Sequence, residues 1–167
     1  MGRLTDIRTM LKEQRVGFLM DEVMTGQHEF EPRFGPPGKR HMEFKVTWGP
    51  KDLKEWARPF SDGTMANDLK GTVTIDGLCY FAPCTGSLEL RYFKDQTIRY
   101  TFEFVADGET YRFVGEKAHI YPWNLFWSHT TCFGRLTKKE TGELVSTSVT
   151  HFRLRTALPF MASFRLA

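Results

Sequence analysis

The chain of 167 residues is long enough for one domain with its own core, and an apolar content of 41% is ordinary for a soluble globular protein. A net charge of +3 arises from 23 basic and 20 acidic residues dispersed without a block, too weak and mixed to suit nucleic acid or an anionic membrane. Aromatic residues reach 14%, among them 15 phenylalanines, a supply that favours strands and large enclosed volumes.

The segment Met1–Met20 is charged throughout and lacks the apolar centre of a signal peptide. Asp6 stands where a myristoylation signal needs Ser or Thr. No stretch approaches the ~18 apolar residues of a membrane span, so a cytoplasmic location is expected. Cys79, Cys84 and Cys132 are an odd number in a reducing compartment, which predicts free thiols.

Thr5–Gln14 reads as a short helix capped by Thr5, with Ile7, Met10 and Leu11 on one side. Glu31–Arg40 is a Pro/Gly loop, so residues 1–40 read as a peripheral arm and 41–167 as the domain. The arm carries Phe18, Leu19, Met20, Val23, Met24, Phe30 and Phe34, too many apolar groups for a free tail. They are expected to cover the barrel mouth or a second subunit, the latter giving a homodimer.

Beyond the loop the strand signal dominates. Met42, Phe44, Val46 and Trp48 alternate with polar residues, and 50–57 can form a short helix. Leu69–Ile75 is a second strand ending in the tight turn Asp76-Gly77. Leu88, Leu90 and Tyr92 alternate, as do Ile98, Tyr100, Phe102 and Phe104 after the turn at Lys94–Gln96. Asp107-Gly108 turns the chain into Tyr111–Lys117, where Gly115 before Glu116-Lys117 marks a bend or close approach. Glu89, Arg91, Arg99, Glu103, Arg112 and Glu116 form the solvated outer face of these strands.

Tyr121–Leu136 is the richest stretch. As a strand it places Trp127, His129, Thr131 and Phe133 on one face and Phe126, Ser128, Thr130 and Cys132 on the other, with Trp123 at the rim. Lys138–Gly142 is a hairpin into Glu143–Leu154, and the apolar tail Arg155–Ala167 docks last. About seven strands joined by short turns predict a mostly-β, antiparallel up-and-down barrel, calycin- or lipocalin-like, with short flanking helices. A sandwich is the alternative.

His129 reads first as a structural histidine and second as a ligand contact or a general acid/base. Thr130, Thr131, Ser146, Thr147, Ser148 and Thr150 read as exposed strand hydroxyls or, more sharply, as a polar strip inside the barrel. Cys132 reads as a buried inert thiol before a nucleophile. His119, His129 and His151 do not stand at a metal-ligand spacing. The chain has no phosphate loop and no nucleophile elbow, and neither a metal nor another cofactor is expected.

Several short motifs carry a likeness. They are Gly71-Thr-Val73, Gly86-Ser-Leu-Glu-Leu90, Tyr100-Thr-Phe-Glu-Phe104, Gly115-Glu-Lys117, Trp127-Ser-His-Thr-Thr-Cys132 and Phe160-Met-Ala-Ser-Phe164. In order and spacing, residues 41–164 resemble an uncharacterised bacterial β-rich domain found with or near cholesterol-oxidase-like (GMC) oxidoreductases and lipid-acting hydrolases. The chain departs from that pattern at His129 (Asp in the family), at Cys132 (Thr) and in lacking a terminal Gln. The resemblance implies a lipid- or steroid-related setting.

The expected function is to bind a small hydrophobic, lipid- or steroid-like ligand. Tyr100, Phe102, Tyr111, Phe113, Trp127 and Phe133 would form the wall, with His129 and Thr131 at the ligand's polar end. One alternative is a cofactor-independent isomerase, cyclase or lyase using His129 as acid or base and Tyr100 or Tyr111 as donor. The other is a structural module that binds a partner.

Overall fold

A computed structural model describes residues 18–49, 65–91, 96–118, 131–152 and 165–166. Every regular element among them is a strand: β1 (Phe18–Phe30), β2 (Arg40–Gly49), β3 (Met65–Ile75), β4 (Cys79–Arg91), β5 (Thr97–Ala106), β6 (Glu109–Lys117), β7 (Thr131–Lys138), β8 (Leu144–Phe152) and β9 (Arg165–Leu166). The two expected helices, Thr5–Gln14 and 50–57, lie outside the described residues.

Strands β2 to β8 form an antiparallel meander in chain order. β1 then closes it, pairing with β2 from Met20↔Trp48 to His28↔Arg40 and with β8 from Met24↔Phe152 to Phe30↔Ser146. The result is an eight-stranded up-and-down barrel without an open edge, with β9 added against the start of β1. This corrects the reading of 1–40 as a peripheral arm: residues 18–30 are a wall of the barrel. Met20, Met24 and Phe30 cover its own interior.

Short turns at one end set the register. Asp107 and Gly108 both have positive φ, 49° and 77°, the left-handed pair that matches hairpin twist. Side chains of alternate residues then fill the barrel. Phe44 is the hub, its ring 5.4 to 5.6 Å from those of Tyr100, Phe102 and Phe113, while Phe102 and Phe113 stack at 4.7 Å. Glycines permit this density. A Cβ on Gly134 would run into the Phe113 ring, and one on Gly86 would strike the backbone of Thr101 on the next strand.

On the outside, the predicted charge ladder is present. Arg99 pairs with Glu116 at 2.7 Å and Arg112 with Glu103 at 2.9 Å. Such exposed pairs contribute roughly 0–1 kcal/mol each and shape solubility more than stability.

Candidate functional site

The eight strands have two dissimilar ends. At one, β1 and β2, β3 and β4, β5 and β6, and β7 and β8 are joined through residues 31–39, 76–78, 107–108 and 139–143. At the other, β2 to β3, β4 to β5 and β6 to β7 are joined through residues 50–64, 92–96 and 118–130.

Just inside that end, four side chains from four strands converge. Glu22 (β1) and Lys117 (β6) form an ion pair at 2.5 Å while remaining only 6% and 3% exposed. The Tyr100 hydroxyl (β5) lies 2.9 Å from both carboxylate oxygens and donates to them. Trp48 Nε1 (β2) donates to Glu22 Oε2 at 3.2 Å. The Lys117 ammonium also sits 5.1 Å from the Tyr100 ring centre and 5.8 Å from that of Phe152. Met20, Leu90 and Ile98 supply further buried apolar groups towards the same strand ends.

Burying two opposite charges is costly, and apolar residues of like size would often hold a fold as well or better. A buried pair that also gathers a phenol and an indole donor thus marks a place where binding or chemistry can be organised. The arrangement presents a carboxylate on which three donors converge, beside an ammonium whose one oxygen partner among the described residues is that carboxylate.

The opposite end holds a second buried polar group, His28. Its Nε2 lies 2.9 Å from the Asp76 carbonyl, which can only accept, so Nε2 carries the proton. Nδ1 then accepts from Ser146 Oγ at 2.9 Å. Burial lowers the His28 pKa below its ordinary value of 6.5, against the opposing pull of the Asp76 carbonyl. The unfolded chain therefore binds a proton that folded His28 resists. Stability should be fully present above about pH 6.5 and decline as pH falls below it. Urea midpoints measured across that window should show the decline, and His28→Gln should flatten it.

Ser146, Ser148 and Thr150 of β8 all point inward and are buried, as the sharper reading of the hydroxyl run proposed. Thr147 and Thr131 lie on the other face, and the Thr131 hydroxyl meets His151 Nδ1 at 3.1 Å on the surface. Cys132 also faces inward and is fully buried. Burial pushes its thiol up to about 12, with a smaller opposite pull from the Lys117 ammonium. Cys84 is pushed up to about 12 by burial too, and burial raises Cys79. All three thiols are free. They should resist alkylation by iodoacetamide at pH 8 in the native protein and react fully once urea unfolds it, as peptide mass mapping would show.

Of the expected wall, Tyr100, Phe102, Tyr111 and Phe113 do lie inside. Phe102 and Phe113 are packed in the central ring cluster, and Tyr111 stacks on Phe104 near the short-turn end. Phe133 and Thr131 do not belong to the interior. Phe133 is 61% exposed, because the inward positions of β7 are Cys132, Gly134 and Leu136. Trp127, His129 and Trp123 lie outside the described residues. Phe133 instead lines an open groove of about 1320 Å3 across β6, β7, β8, β1 and the start of β2, with Gln27, His41, Arg135, Val149 and His151.

Of the residues that build the charged centre, Tyr100 was singled out from the sequence, whereas Glu22, Lys117 and Trp48 were not. Lys117 was legible, since Tyr111 and Phe113 at inward positions put Gly115 and Lys117 on the same face. Glu22 becomes legible only when 18–30 is recognised as a strand. Among the described residues no cluster of three or more His, Cys, Asp or Glu side chains is placed to hold a metal ion. No family model, curated protein or solved structure matches the chain.

Proposed function

We propose that the barrel, read as calycin-like, binds a small and mostly apolar molecule at the end bearing the long connections. The molecule's polar group would meet the Glu22–Lys117–Tyr100–Trp48 centre. The observation that carries this reading is the ion pair itself, buried inside a barrel and supplied with two further donors. The middle of the barrel is filled by the Phe44 cluster, so the ligand belongs to the layer towards the long connections. Met20 and Met24 flank Glu22 on β1, and their unbranched thioethers repack readily around a guest. Burying about 200 Å2 of apolar ligand surface at ~25 cal/mol per Å2 supplies ~5 kcal/mol, to which polar contacts add. A lipid- or steroid-like ligand and a cytoplasmic setting fit the apolar surroundings and the three free thiols.

Native mass spectrometry of protein purified from cells, followed by lipid extraction, tests the reading. An adduct released into organic solvent, and a thermal shift with sterol or acyl compounds, are expected. A clean mass for the unliganded chain together with no shift across the panel would refute it.

The outer groove favours a second reading, a partner-binding module. Phe133 and Val149 are direct cross-strand neighbours there, and both are exposed. Light scattering of wild type and Phe133→Asp decides it for self-association. A dimer lost on substitution supports the module, and a monomer in both removes a second copy as the partner.

A further inference from the structure

The charged centre also constrains the chemistry of its guest. Lys117 carries three N–H donors. Among the described residues its one oxygen partner is Glu22 Oε1, and the faces of Tyr100 and Phe152 and the cross-strand Cys132 lie beside it. On Glu22, three donors from three strands already converge on two oxygens. A guest that donates hydrogen bonds would share an acceptor that three donors already engage, whereas a guest that accepts meets an ammonium whose further contacts are weaker ones with ring faces.

Charge narrows the class further. Glu22 and Lys117 sum to zero within an apolar enclosure. An added carboxylate would leave one negative charge buried without a counter-ion, at a cost that a neutral acceptor avoids. Building on the ligand-binding reading above, we propose that the guest's polar group is an uncharged carbonyl, a ketone, aldehyde or ester, whose oxygen accepts from Lys117 Nζ. The contact is a reversible hydrogen bond, and no covalent step is involved.

A matched series with a twelve-carbon chain tests this: methyl decyl ketone, dodecanol, dodecanoate and dodecane, each titrated against Trp fluorescence. The ketone should bind about tenfold or more tightly than dodecane, as a hydrogen bond from a charged donor supplies, and more tightly than the alcohol or the acid. Its carbonyl infrared band should move to lower frequency on binding than in hexane. In Glu22→Gln/Lys117→Met, which removes both charges together, the preference for ketone over dodecane and the band shift should vanish. Should that variant not fold, the wild-type band decides alone, a lowered frequency supporting the carbonyl contact and an unshifted one refuting it. Tightest binding of dodecanoate or dodecanol, or equal binding of all four, overturns the carbonyl class and leaves the binder standing. No binding by any of the four overturns both.

Discussion

Lys117→Met should lower the unfolding free energy in urea by about 3–5 kcal/mol, although Met has nearly the length and shape of Lys. The loss comes from what is left behind. Glu22 would keep Tyr100 and Trp48 as donors but would be a carboxylate inside the barrel with no countercharge. Glu22→Gln alone should also be costly, since it strands the ammonium. The double variant Glu22→Gln/Lys117→Met should recover most of the loss, because neither charge then needs solvating. The coupling between the two positions is the measurement, and it should exceed about 2 kcal/mol in a double-mutant cycle. A cost below about 1 kcal/mol for Lys117→Met would mean that water reaches the pair, and the centre would lose its claim to be a site.

Phe44→Ala should cost a comparable 3–5 kcal/mol, since it removes a ring in contact with three others at the middle of the barrel. Gly86 holds that region close, and a neighbouring strand cannot shift to fill the void without leaving its ladder. By contrast, Phe133→Ala should change stability by no more than about 0.5 kcal/mol, because the ring stands on the outer face. The pair forms an internal control on register. A large loss at Phe133 would place β7 one residue out of step, and every inward assignment on that strand would invert.

The sequence revealed the strands whose inward positions are large and apolar. β2 with Met42, Phe44, Val46 and Trp48, and β5 with Ile98, Tyr100, Phe102 and Phe104, are read directly from alternation. β1 was hidden because its inward set runs Met20, Glu22, Met24, Gly26, His28 and Phe30. Half of those positions carry a charge, an imidazole or no side chain, so the period of two is masked by the very residues that build the polar centres. β7 was assigned to the wrong face for a related reason. Its largest residue, Phe133, points outward, and Gly134 points inward because the Phe113 ring from β6 already fills that volume. Interior space is shared between strands, and alternation within one strand cannot tell which neighbour supplies the bulk. Lys117 and Glu22 illustrate the limit for the site: each is placed by its own strand's alternation, but their meeting is a property of the closed barrel.

Closure by β1 also has a consequence for how the protein is made. β1 leaves the ribosome well before its partner β8 and must wait for it, as the contact between His28 and Ser146 across 118 residues shows. Strands β2 to β8 can zip up as successive local hairpins during synthesis. β1 has one early partner in β2, yet its other edge stays unpaired until β8 is complete. Such long-range pairing is slow and exposes a strand edge in the interval. During that interval the inward face of β1 carries Glu22 and His28 among its methionines, so the waiting strand is not a continuous apolar edge.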